Sequence, residues 1–574
     1  MKTELQLRDA LHGIDHKSYP AYKSLKGEYR FRDYILSIDH VQGDPFAAPS
    51  HLTARILPEK AGFPGEYTAD RFHRVTLADY LLRRFYTATG KVSFQAHGSG
   101  KSGLVTVSRC GQEILERTAC QITDGEILVR FYVGFPARGR TIDAGELEKI
   151  LFDLLPGCIR DSFFYVSQDA QALDTCMKLR EDQAFIRKEL EKRNLAAFVA
   201  NGAILPRESG ISQKPMKNAL RFKSPESLEV TLALPHHGPL TGMGVPRGVT
   251  LIVGGGYHGK STLLDALQSG VYDHISRDGR EYVITDDSAQ KLRAEDGRFV
   301  KDMDISLFIR HLPDGKDTGH FCTEDASGST SQAAGIMESL EAGSRVFLLD
   351  EDTSAANFMV RDDFMQRVIA PEKEPITPYL ERVRDLYEKA GVSTILVAGS
   401  SGAFFHEADL VIQMDTYQPK DITGRVKELL SEYPIRRAGL DDFAVHFNSR
   451  VMTRPPQEKS RRNYYGDAVD RPEKLKTKVH GKEGFSLGRQ DVDLSALEQL
   501  CDSEQTAALA FLLRDTVEKK VDGKKTLTEI AEELYTAMQK GGPAVFKENG
   551  YVSGGFALPR RQELYGCLNR YRRP

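Results

Sequence analysis

The stretch "GGGYHGKST" at residues 254–262 constrains the fold of this 574-residue chain more than any other feature. It has the spacing G-x-x-x-x-G-K-[ST], with Gly254 and Gly259 followed by Lys260 and Ser261. A β-branched run, "VTLIV", precedes it, and a helical pattern, "STLLDAL", follows it. Glycines let main-chain N–H groups turn toward a phosphate, and the helix that follows adds the positive end of its dipole. The sequence therefore predicts a phosphate-binding loop between a buried strand and a helix.

Every residue of this loop is a candidate ATP-binding residue: Gly254, Gly255, Gly256, Tyr257, His258, Gly259, Lys260, Ser261 and Thr262. We expect Lys260 to reach the β- and γ-phosphates and to take part in catalysis, and Ser261 to ligate Mg²⁺.

An apolar run that ends in acids, "RVFLLDED" at 345–352, lies downstream of the loop at a suitable distance. Asp350 at the end of this predicted strand suits Mg²⁺, directly or through water. Glu351 suits a general base that orients the attacking water. The combination predicts ATP hydrolysis with ATP and Mg²⁺ as cofactors.

A second glycine-rich stretch, "HGSGKSG" at 97–103, resembles the first only superficially. Gln95 stands where the first glycine would be, and "LVTVSR", an alternating strand pattern, follows instead of a helix. No helix dipole would point at a phosphate there. A tight turn and a basic loop that contacts a nucleic-acid backbone remain the two interpretations, and a second ATP site is disfavoured.

The segment "EDASGSTSQAAGIMESLEAG" places small residues before a helical pattern that leads into the Asp350 strand. Here the chain resembles the ABC ATPases, in which a serine–glycine-rich signature opens such a helix. Ser327 and Gly328 match the signature, while Ser329 replaces its second glycine and Thr330 its glutamine. "DTSAAN" resembles the family's D-loop, with Asn357 where an aspartate is usual.

Two family features have no clear counterpart in the sequence. The switch histidine would fall near Gly399, where Ser400 or Ser401 could supply a hydroxyl instead, and His406 is more typical of a surface residue. The nearest candidate for the Q-loop glutamine is Gln290, in competition with the acidic turn after it.

The residues of these motifs are similar to those of the stand-alone predicted ATPases of the ABC class. These proteins are not transporters, and they include a kinetoplastid RNA-editing factor. In ABC ATPases the signature of one subunit covers the nucleotide of another. The resemblance therefore implies a head-to-tail homodimer, in which Ser327, Gly328 and Ser329 complete the partner's ATP site.

The predicted fold class is α/β, a P-loop NTPase of ABC ATPase type with an α+β N-terminal domain and a basic, largely helical C-terminal region. We place the domains at 1–225, 226–440 and 441–574. Strand-like and helical patterns alternate in the first two, as in a parallel α/β sheet for the second.

Composition and charge indicate which compartment and which partners to expect. The net charge is −3, so basic surfaces must be local. The cysteines are scattered without a C-x-x-C pair, which fits a reducing compartment. No apolar run approaches the roughly 20 residues of a membrane helix. We expect a cytoplasmic protein without a membrane partner.

Three clusters mix basic and aromatic residues, as binders of single-stranded nucleic acid require. They contain Tyr132, Phe135, Arg138 and Arg140; Lys459, Arg461, Arg462, Tyr464 and Tyr465; and the arginines of the tail "PRRQELYGCLNRYRRP". One interpretation is an ATPase that binds or remodels nucleic acid, with RNA favoured. The alternatives are an ATP-switched assembly or translation factor without nucleic-acid contact and a small-molecule P-loop enzyme.

Overall fold

The computed structural model describes residues 1–361, 368, 374–399, 401–433, 443–453, 475–548 and 550–572. The chain forms two compact units. The first comprises Met1–Arg180 and Ala537–Leu558, and the second comprises Glu181–Thr536 and Pro559–Pro574. The predicted boundaries at 225 and 440 stay a prediction.

The α-helices among the described residues are α1 (Glu4–His12), α2 (Pro58–Ala61), α3 (Arg71–Val92), α4 (Ala144–Glu148), α5 (Leu155–Phe163), α6 (Ala170–Lys192), α7 (Lys260–Ser269), α8 (Gly328–Glu341), α9 (Ala356–Met359), α10 (Tyr379–Ala390), α11 (Thr423–Leu430), α12 (Ser503–Asp515), α13 (Leu527–Gly541) and α14 (Arg561–Asn569). A π-helical turn, Lys149–Leu154, precedes α5, and another, Thr516–Lys520, follows α12. None of the helices in the described part of the chain is long and apolar enough to cross a membrane.

The strands of the N-terminal half are β1 (Lys2–Thr3), β2 (Gly27–Arg30), β3 (Ile35–His40), β4 (Ser50–Ile56), β5 (Val105–Thr106), β6 (Cys120–Ile122), β7 (Ile127–Val133), β8 (Ala137–Arg138), β9 (Thr141–Ile142), β10 (Leu195–Ala200), β11 (Arg207–Ser209), β12 (Ser212–Pro215), β13 (Glu229–Leu234) and β14 (Gly238–Pro246). Those that follow are β15 (Val249–Val253), β16 (Val283–Thr285), β17 (Gln290–Leu292), β18 (Arg298–Met303), β19 (Phe321–Ala326), β20 (Val346–Asp350), β21 (Ser393–Val397), β22 (Leu410–Asp415), β23 (Gln418–Asp421), β24 (Thr477–Val479), β25 (Gly484–Leu487), β26 (Gln490–Asp493), β27 (Lys547–Glu548) and β28 (Tyr551–Val552).

The first unit is built on a sheet in the order β1-β2-β3-β4-β7-β5, with β6 also paired to β7. Burial alternates along β7, the period expected of a strand with one face in a core. The ring of Phe85 in α3 lies 5.5 Å from that of Phe131 in β7 and 5.1 Å from that of Phe163 in α5. The two helices therefore cover one face of the sheet, which agrees with the predicted α+β class.

The second unit is built on a six-stranded sheet in the order β17-β20-β21-β15-β22-β23, in which only β23 is antiparallel to its neighbour. All five residues of β20 and of β21 are buried, as expected of a parallel sheet covered on both faces. Val397 pairs with Asp350 on one side and with Ile252 on the other. The segments that follow β20, β21 and β15 therefore meet at one edge of the sheet.

The C-terminal region is less purely helical than the sequence predicts. Helices α12 and α13 lie on the helical patterns "TAALAFLLRDTVEKK" and "LTEIAEELYTAMQK", whereas the pattern "LSALEQL" forms no helix and α14 was not predicted. Strands β24, β25 and β26 form an antiparallel sheet before these helices. These strands have only three or four residues each, too few for an alternation to be distinguished from loop.

Candidate nucleotide site

The loop that follows β15 has the conformation expected of a phosphate-binding loop. Gly254 has φ of +138° and Gly259 has φ of +96°. A Cβ atom on Gly254 would lie 2.4 Å from the main-chain oxygen of Met414, so no other residue fits there. Helix α7 begins at Lys260, and Ser261 and Thr262 lie in its first turn. The main-chain N–H groups at this helix start form an anion-binding geometry.

Lys260 folds back over its own loop. Its ammonium donates hydrogen bonds to the main-chain oxygens of Gly254, at 2.7 Å, and Gly255, at 2.9 Å. A Cβ atom on Gly256 would meet nothing within 4 Å, so this part of the loop is open. The lysine is thus held at the loop by weak neutral acceptors that a phosphate could replace.

Tyr257 and His258, the two residues between Gly256 and Gly259, differ in role. Tyr257 has a positive φ of 64° and is 99% exposed. His258 ties the loop to the β22–β23 hairpin, because its Nδ1 accepts a hydrogen bond from the main-chain N–H of Thr416 at 2.9 Å. Asp415 lies 3.5 Å away, and its pKa is lowered by hydrogen bonds from Lys420 and Thr416. We therefore assign His258 a positioning role.

The acidic pair lies at the carboxyl end of β20, as the sequence predicts. Asp350 is buried, and its Oδ1 accepts the main-chain N–H of Asp352 at 3.2 Å. Glu351 follows it, and its Oε2 accepts the main-chain N–H of Gly399 at 2.6 Å. Since Gly399 follows β21, the neighbouring strand supplies the group that orients this carboxylate.

The segment after β21 carries no histidine at the position expected for the switch residue. Ser401 accepts the main-chain N–H of Ala403 at 3.3 Å, and Ser400 lies outside the described residues. His406 ends a short 3₁₀ helix and is partly buried. From this segment, the main-chain N–H of Gly399 contacts Glu351 of the acidic pair.

The signature residues open helix α8. Ser327 is its N-cap, and its hydroxyl accepts the main-chain N–H of Thr330 at 3.4 Å. A Cβ atom on Gly328 would lie 3.2 Å from Asp296 Oδ1, so this position is tightly packed. Ser329 donates to Asn357 Oδ1 at 2.9 Å, which joins the signature directly to the D-loop.

Gln332, one helical turn further along α8, strengthens this link, and no motif in the sequence indicated this contact. Its amide donates to Ser354 Oγ at 3.0 Å and accepts the main-chain N–H of Ala355 at 2.8 Å. The glutamine that the family places in the signature is absent at Thr330. A glutamine two residues later contacts the segment after Glu351 instead.

The Gln290 hypothesis does not agree with the structure. Gln290 begins β17, pairs with Phe347, and accepts a hydrogen bond from Ser344 at the far end of β20 from Asp350. The acidic turn that follows β17 lies at the site edge. Its Ala294 N–H donates to the main-chain oxygen of Thr353 at 3.0 Å.

Glu295 in this turn connects the site to the C-terminal helix. Its main-chain N–H donates to Ser331 Oγ in α8 at 2.9 Å. Its carboxylate pairs with Arg570 at 2.5 Å and with Arg298 at 3.7 Å. Burial raises the pKa of Glu295, but Arg570 and Arg298 outweigh it, so the pKa lies below its usual value and the group is ionised. Arg570 lies 275 residues from Glu295 in the sequence, so no local sequence pattern predicts this contact.

Of the aromatic members of the first basic cluster, Phe135 is not available to a ligand and Tyr132 is only partly exposed, which corrects the prediction. Phe135 is fully buried, and its ring lies 5.1 Å from that of Tyr22. Tyr132 is partly buried, and its hydroxyl lies 3.2 Å from Ser553 Oγ. A strand with alternating burial sends one of every two residues inward, so neighbouring aromatic and basic residues need not share a face.

The C-terminal arginines also form ion pairs with acidic side chains of the protein. Arg560 pairs with Glu563, Arg561 with Glu532, and Arg570 with Glu295. Of this tail, Arg572 is exposed. The predicted cluster at Lys459, Arg461, Arg462, Tyr464 and Tyr465 lies outside the described residues.

Arg138 and Arg140 remain exposed, and the structure brings the "HGSGKSG" stretch beside them. Ser99 donates its main-chain N–H to Ala137 O at 2.8 Å, and its hydroxyl accepts the N–H of Gly139 at 2.9 Å. We call Lys101, Arg138 and Arg140, which lie on two neighbouring loops, the basic loop cluster. Arg138 also forms an ion pair with Asp143 at 2.8 Å.

The "HGSGKSG" stretch is a turn whose main-chain donors are used inside the protein. The N–H groups of His97, Ser99, Lys101, Ser102 and Gly103 all donate to protein acceptors within 3.1 Å. Strand β5 follows it rather than a helix. Because a phosphate cradle needs outward main-chain N–H groups, this loop lacks the geometry of an ATP site.

Three family models match the chain in order. The N-terminal model of ATPases of the ABC class matches residues 5–166, the P-loop domain of the ABC ATPases matches 169–448, and the MRB1590 C-terminal domain matches 476–574. The fold and the loop, strand and signature geometry define a P-loop ATPase domain of ABC type. The chain belongs to the stand-alone ABC-class ATPases, which confirms the resemblance seen in its motifs.

Individual proteins are similar over parts of the chain. Uncharacterized protein MJ1628 of Methanocaldococcus jannaschii is 31% identical over 230 residues, 38% of this chain and 50% of that protein, so the chain spans about half the length of this relative. Solved structures include the ADP conformation of MJ1267, an ATP-binding cassette of an ABC transporter (14% identity, 42% of this chain, 95% of that chain, TM-score 0.25). Another is cbiO1 from Clostridium perfringens, part of the transporter complex cbiONQ (14% identity, 42% of this chain, 92% of that chain, TM-score 0.26).

Proposed function

We propose that this protein hydrolyses ATP with Glu351 as general base, and that dimer closure driven by ATP is coupled to the binding of nucleic acid, RNA in particular. The hydrogen bond from Gly399 N–H to Glu351 Oε2 carries the catalytic part of this proposal. A carboxylate fixed by a main-chain donor, beside a phosphate-binding loop, is suited to align a water molecule and accept its proton.

The loop residues would bind the phosphates, with Lys260 exchanging the carbonyls of Gly254 and Gly255 for phosphate oxygens. The donor set suits Mg²⁺, because Asp350 offers a buried carboxylate at a strand end and Ser261 a hydroxyl in the first turn of α7. These two residues would hold the ion, which when bound neutralises charge on the phosphates.

The head-to-tail homodimer follows from the motifs. The sequence has one phosphate-binding loop and one signature, and in ABC ATPases the two act across a dimer interface. The hydrogen bonds from Ser329 and Gln332 to the D-loop support this arrangement, since they join the signature to the segment after Glu351. ATP held by the partner could thereby affect the acidic pair.

The nucleic-acid part of the proposal is supported by the basic loop cluster and by the family resemblance. Lys101, Arg138 and Arg140 lie on two neighbouring loops and carry positive charge in a chain of net charge −3. Such a surface would neutralise phosphates.

The alternative is an ATP-switched assembly or translation factor that does not contact nucleic acid. The ion pairs of Arg560, Arg561 and Arg570 favour it, because they neutralise three arginines of one predicted basic cluster.

One experiment separates the two. ATPase activity is measured with and without single-stranded RNA, double-stranded RNA and DNA, with Lys260→Ala as the inactive control. Binding to single-stranded RNA is measured from low to moderate salt. For nucleic-acid binding, log K should fall by about 0.7 per phosphate contact for each tenfold rise in salt. A flat dependence and unchanged ATPase activity would support the alternative.

A further inference from the structure

A cavity of about 180 Å³ opens in the first unit, and none of its lining residues is among those assigned to ATP. It lies between α1, the loop that joins β2 to β3, and the segment from the π-helical turn to the end of α5. Four aromatic rings line it: Phe31, Tyr34, Phe152 and Phe164. An engineered apolar cavity of about 150 Å³ holds a benzene molecule, so this space suits about one planar ring.

The walls of the cavity are aromatic, and their rings pack against one another. The rings of Phe31 and Tyr34 are stacked, with centroids 4.9 Å apart and planes at 12°. The ring of Phe152 lies 5.5 Å from that of Phe31, and the guanidinium of Arg8 lies 4.6 Å from its centroid. The π-helical turn Lys149–Leu154 contains Phe152, and such turns are frequent at functional sites.

The polar groups of the cavity argue against a purely apolar ligand. Tyr34 is only 6% exposed, and its hydroxyl has no hydrogen-bond partner within the described part of the chain. A buried hydroxyl without a partner costs free energy, which a ligand acceptor would recover. Burial raises the pKa of Tyr34, so the hydroxyl keeps its proton and can donate. Glu4 and Asp33 line the same cavity and offer acceptors.

The mouth of the cavity is rich in arginine. Arg160 is exposed and has no ion pair with any described residue, and Arg32 is 89% exposed with Asp33 3.9 Å away. Both line the cavity, as does Arg8, which pairs with Glu148 at 2.9 Å. An anionic group on the ligand would find positive charge where the cavity opens to solvent.

We propose that this cavity binds one nucleobase, in contact with the Phe31, Tyr34 and Phe152 rings, with the attached phosphate at Arg160 and Arg32. The ligand is a nucleotide unit of single-stranded nucleic acid. This inference rests on the nucleic-acid part of the proposed function and places one base of the bound strand. A planar ring with donors, acceptors and a phosphate matches each group of the cavity.

The test uses the full chain with Mg²⁺ and excess ADP to fill the ATP site. The probe is a 12-nucleotide single-stranded RNA carrying 2-aminopurine, whose emission changes when it stacks on a ring, and total binding is followed by anisotropy. Arg160→Glu and Tyr34→Phe are compared with wild type. Arg109→Glu is the matched control, because Arg109 is an exposed arginine of the same unit that does not line the cavity. Thermal unfolding confirms that each variant is folded.

We expect the emission change to be lost and the affinity to fall by roughly tenfold in Arg160→Glu, because a carboxylate at the mouth repels the phosphate and keeps the attached base out of the cavity. Tyr34→Phe should weaken binding by about fivefold, the worth of one hydrogen bond, and Arg109→Glu should bind as wild type. If the RNA binds but neither cavity variant changes emission or affinity, the cavity assignment is wrong while nucleic-acid binding stands.

A second arm distinguishes a strand from a free nucleotide. Cytidine monophosphate is titrated under the same conditions. If the RNA does not bind but the monophosphate does, and Arg160→Glu abolishes this, the cavity is a mononucleotide site and the nucleic-acid function fails. If neither probe binds, both the inference and the nucleic-acid function are overturned.

Discussion

The main-chain N–H of Gly399 donates a hydrogen bond to Glu351 Oε2 at 2.6 Å. The two residues are 48 apart in sequence and follow neighbouring parallel strands, β21 and β20. The resemblance to the ABC ATPases places their switch histidine near Gly399, where this sequence has no histidine. A main-chain donor has no side chain to move, so it can restrain the carboxylate whichever residue stands at 399, proline excepted.

Glu351→Gln should lower the turnover of ATP by about 10²- to 10⁴-fold, the range for loss of a general base, with ATP affinity retained. The glutamine oxygen can still accept the Gly399 N–H, so the local geometry should persist. Steady-state ATPase and equilibrium ATP-binding assays measure the two effects. Glu388→Gln, at an exposed position of α10, is the control, and equal turnover in both variants would reject the assignment.

The two lysines of the glycine-rich stretches form a matched pair. Lys260→Ala should strongly reduce ATP affinity, because it removes the positive charge at the phosphates. Lys101→Ala should leave ATP affinity unchanged, since the main-chain donors of its loop are occupied by protein acceptors. Titration with a fluorescent ATP analogue measures both. A large loss in Lys101→Ala would restore the idea of two ATP sites.

The signature–D-loop contact should matter for turnover rather than for ATP binding. Asn357→Leu removes the acceptor of the Ser329 hydroxyl and should lower kcat by about tenfold, while KM changes little, because ATP binding within one subunit does not use the contact. Asn357→Asp keeps the acceptor and should retain activity. Equal loss in both variants would show that the hydrogen bond is not the reason.

The buried pair of Glu295 and Arg570 should contribute to the stability of the second unit. Arg570→Met leaves Glu295, 16% exposed, without its closest counter-charge and should cost about 3 kcal/mol. The double variant Glu295→Gln with Arg570→Met should recover part of this loss. Urea unfolding of the four members of the cycle measures the coupling, and additive losses would mean that the two residues do not interact.

His51 should make the first unit less stable in acid. Burial, with His40 nearby, lowers the pKa of His51 from 6.5 to about 4. Between these values the unfolded chain binds a proton that the folded chain does not, so stability is full above pH 6.5 and falls toward pH 4, by up to about 3 kcal/mol. Hydrogen exchange of the β4 amides should show this loss in wild type and a smaller one in His51→Gln. If stability falls equally with decreasing pH in wild type and in His51→Gln, the assignment of this acid sensitivity to His51 is wrong.

The sequence by itself determined the features that depend on local spacing. The loop at Gly254–Thr262, the acidic end of β20 and the Ser327 N-cap each consist of a few consecutive residues, and their conformation follows from glycine freedom, strand burial and helix capping. The same local comparison correctly separated this loop from the one at Lys101.

Only the tertiary structure decided which distant groups meet. The donor to Glu351, the contact of Gln332 with the D-loop and the pair of Glu295 with Arg570 each depend on how strands and helices are ordered in space. It also buried Phe135 and paired three C-terminal arginines with acidic side chains. The physical reason is that burial and ion pairing are set by packing between elements, and a stretch of sequence specifies its neighbours along the chain but not those across it.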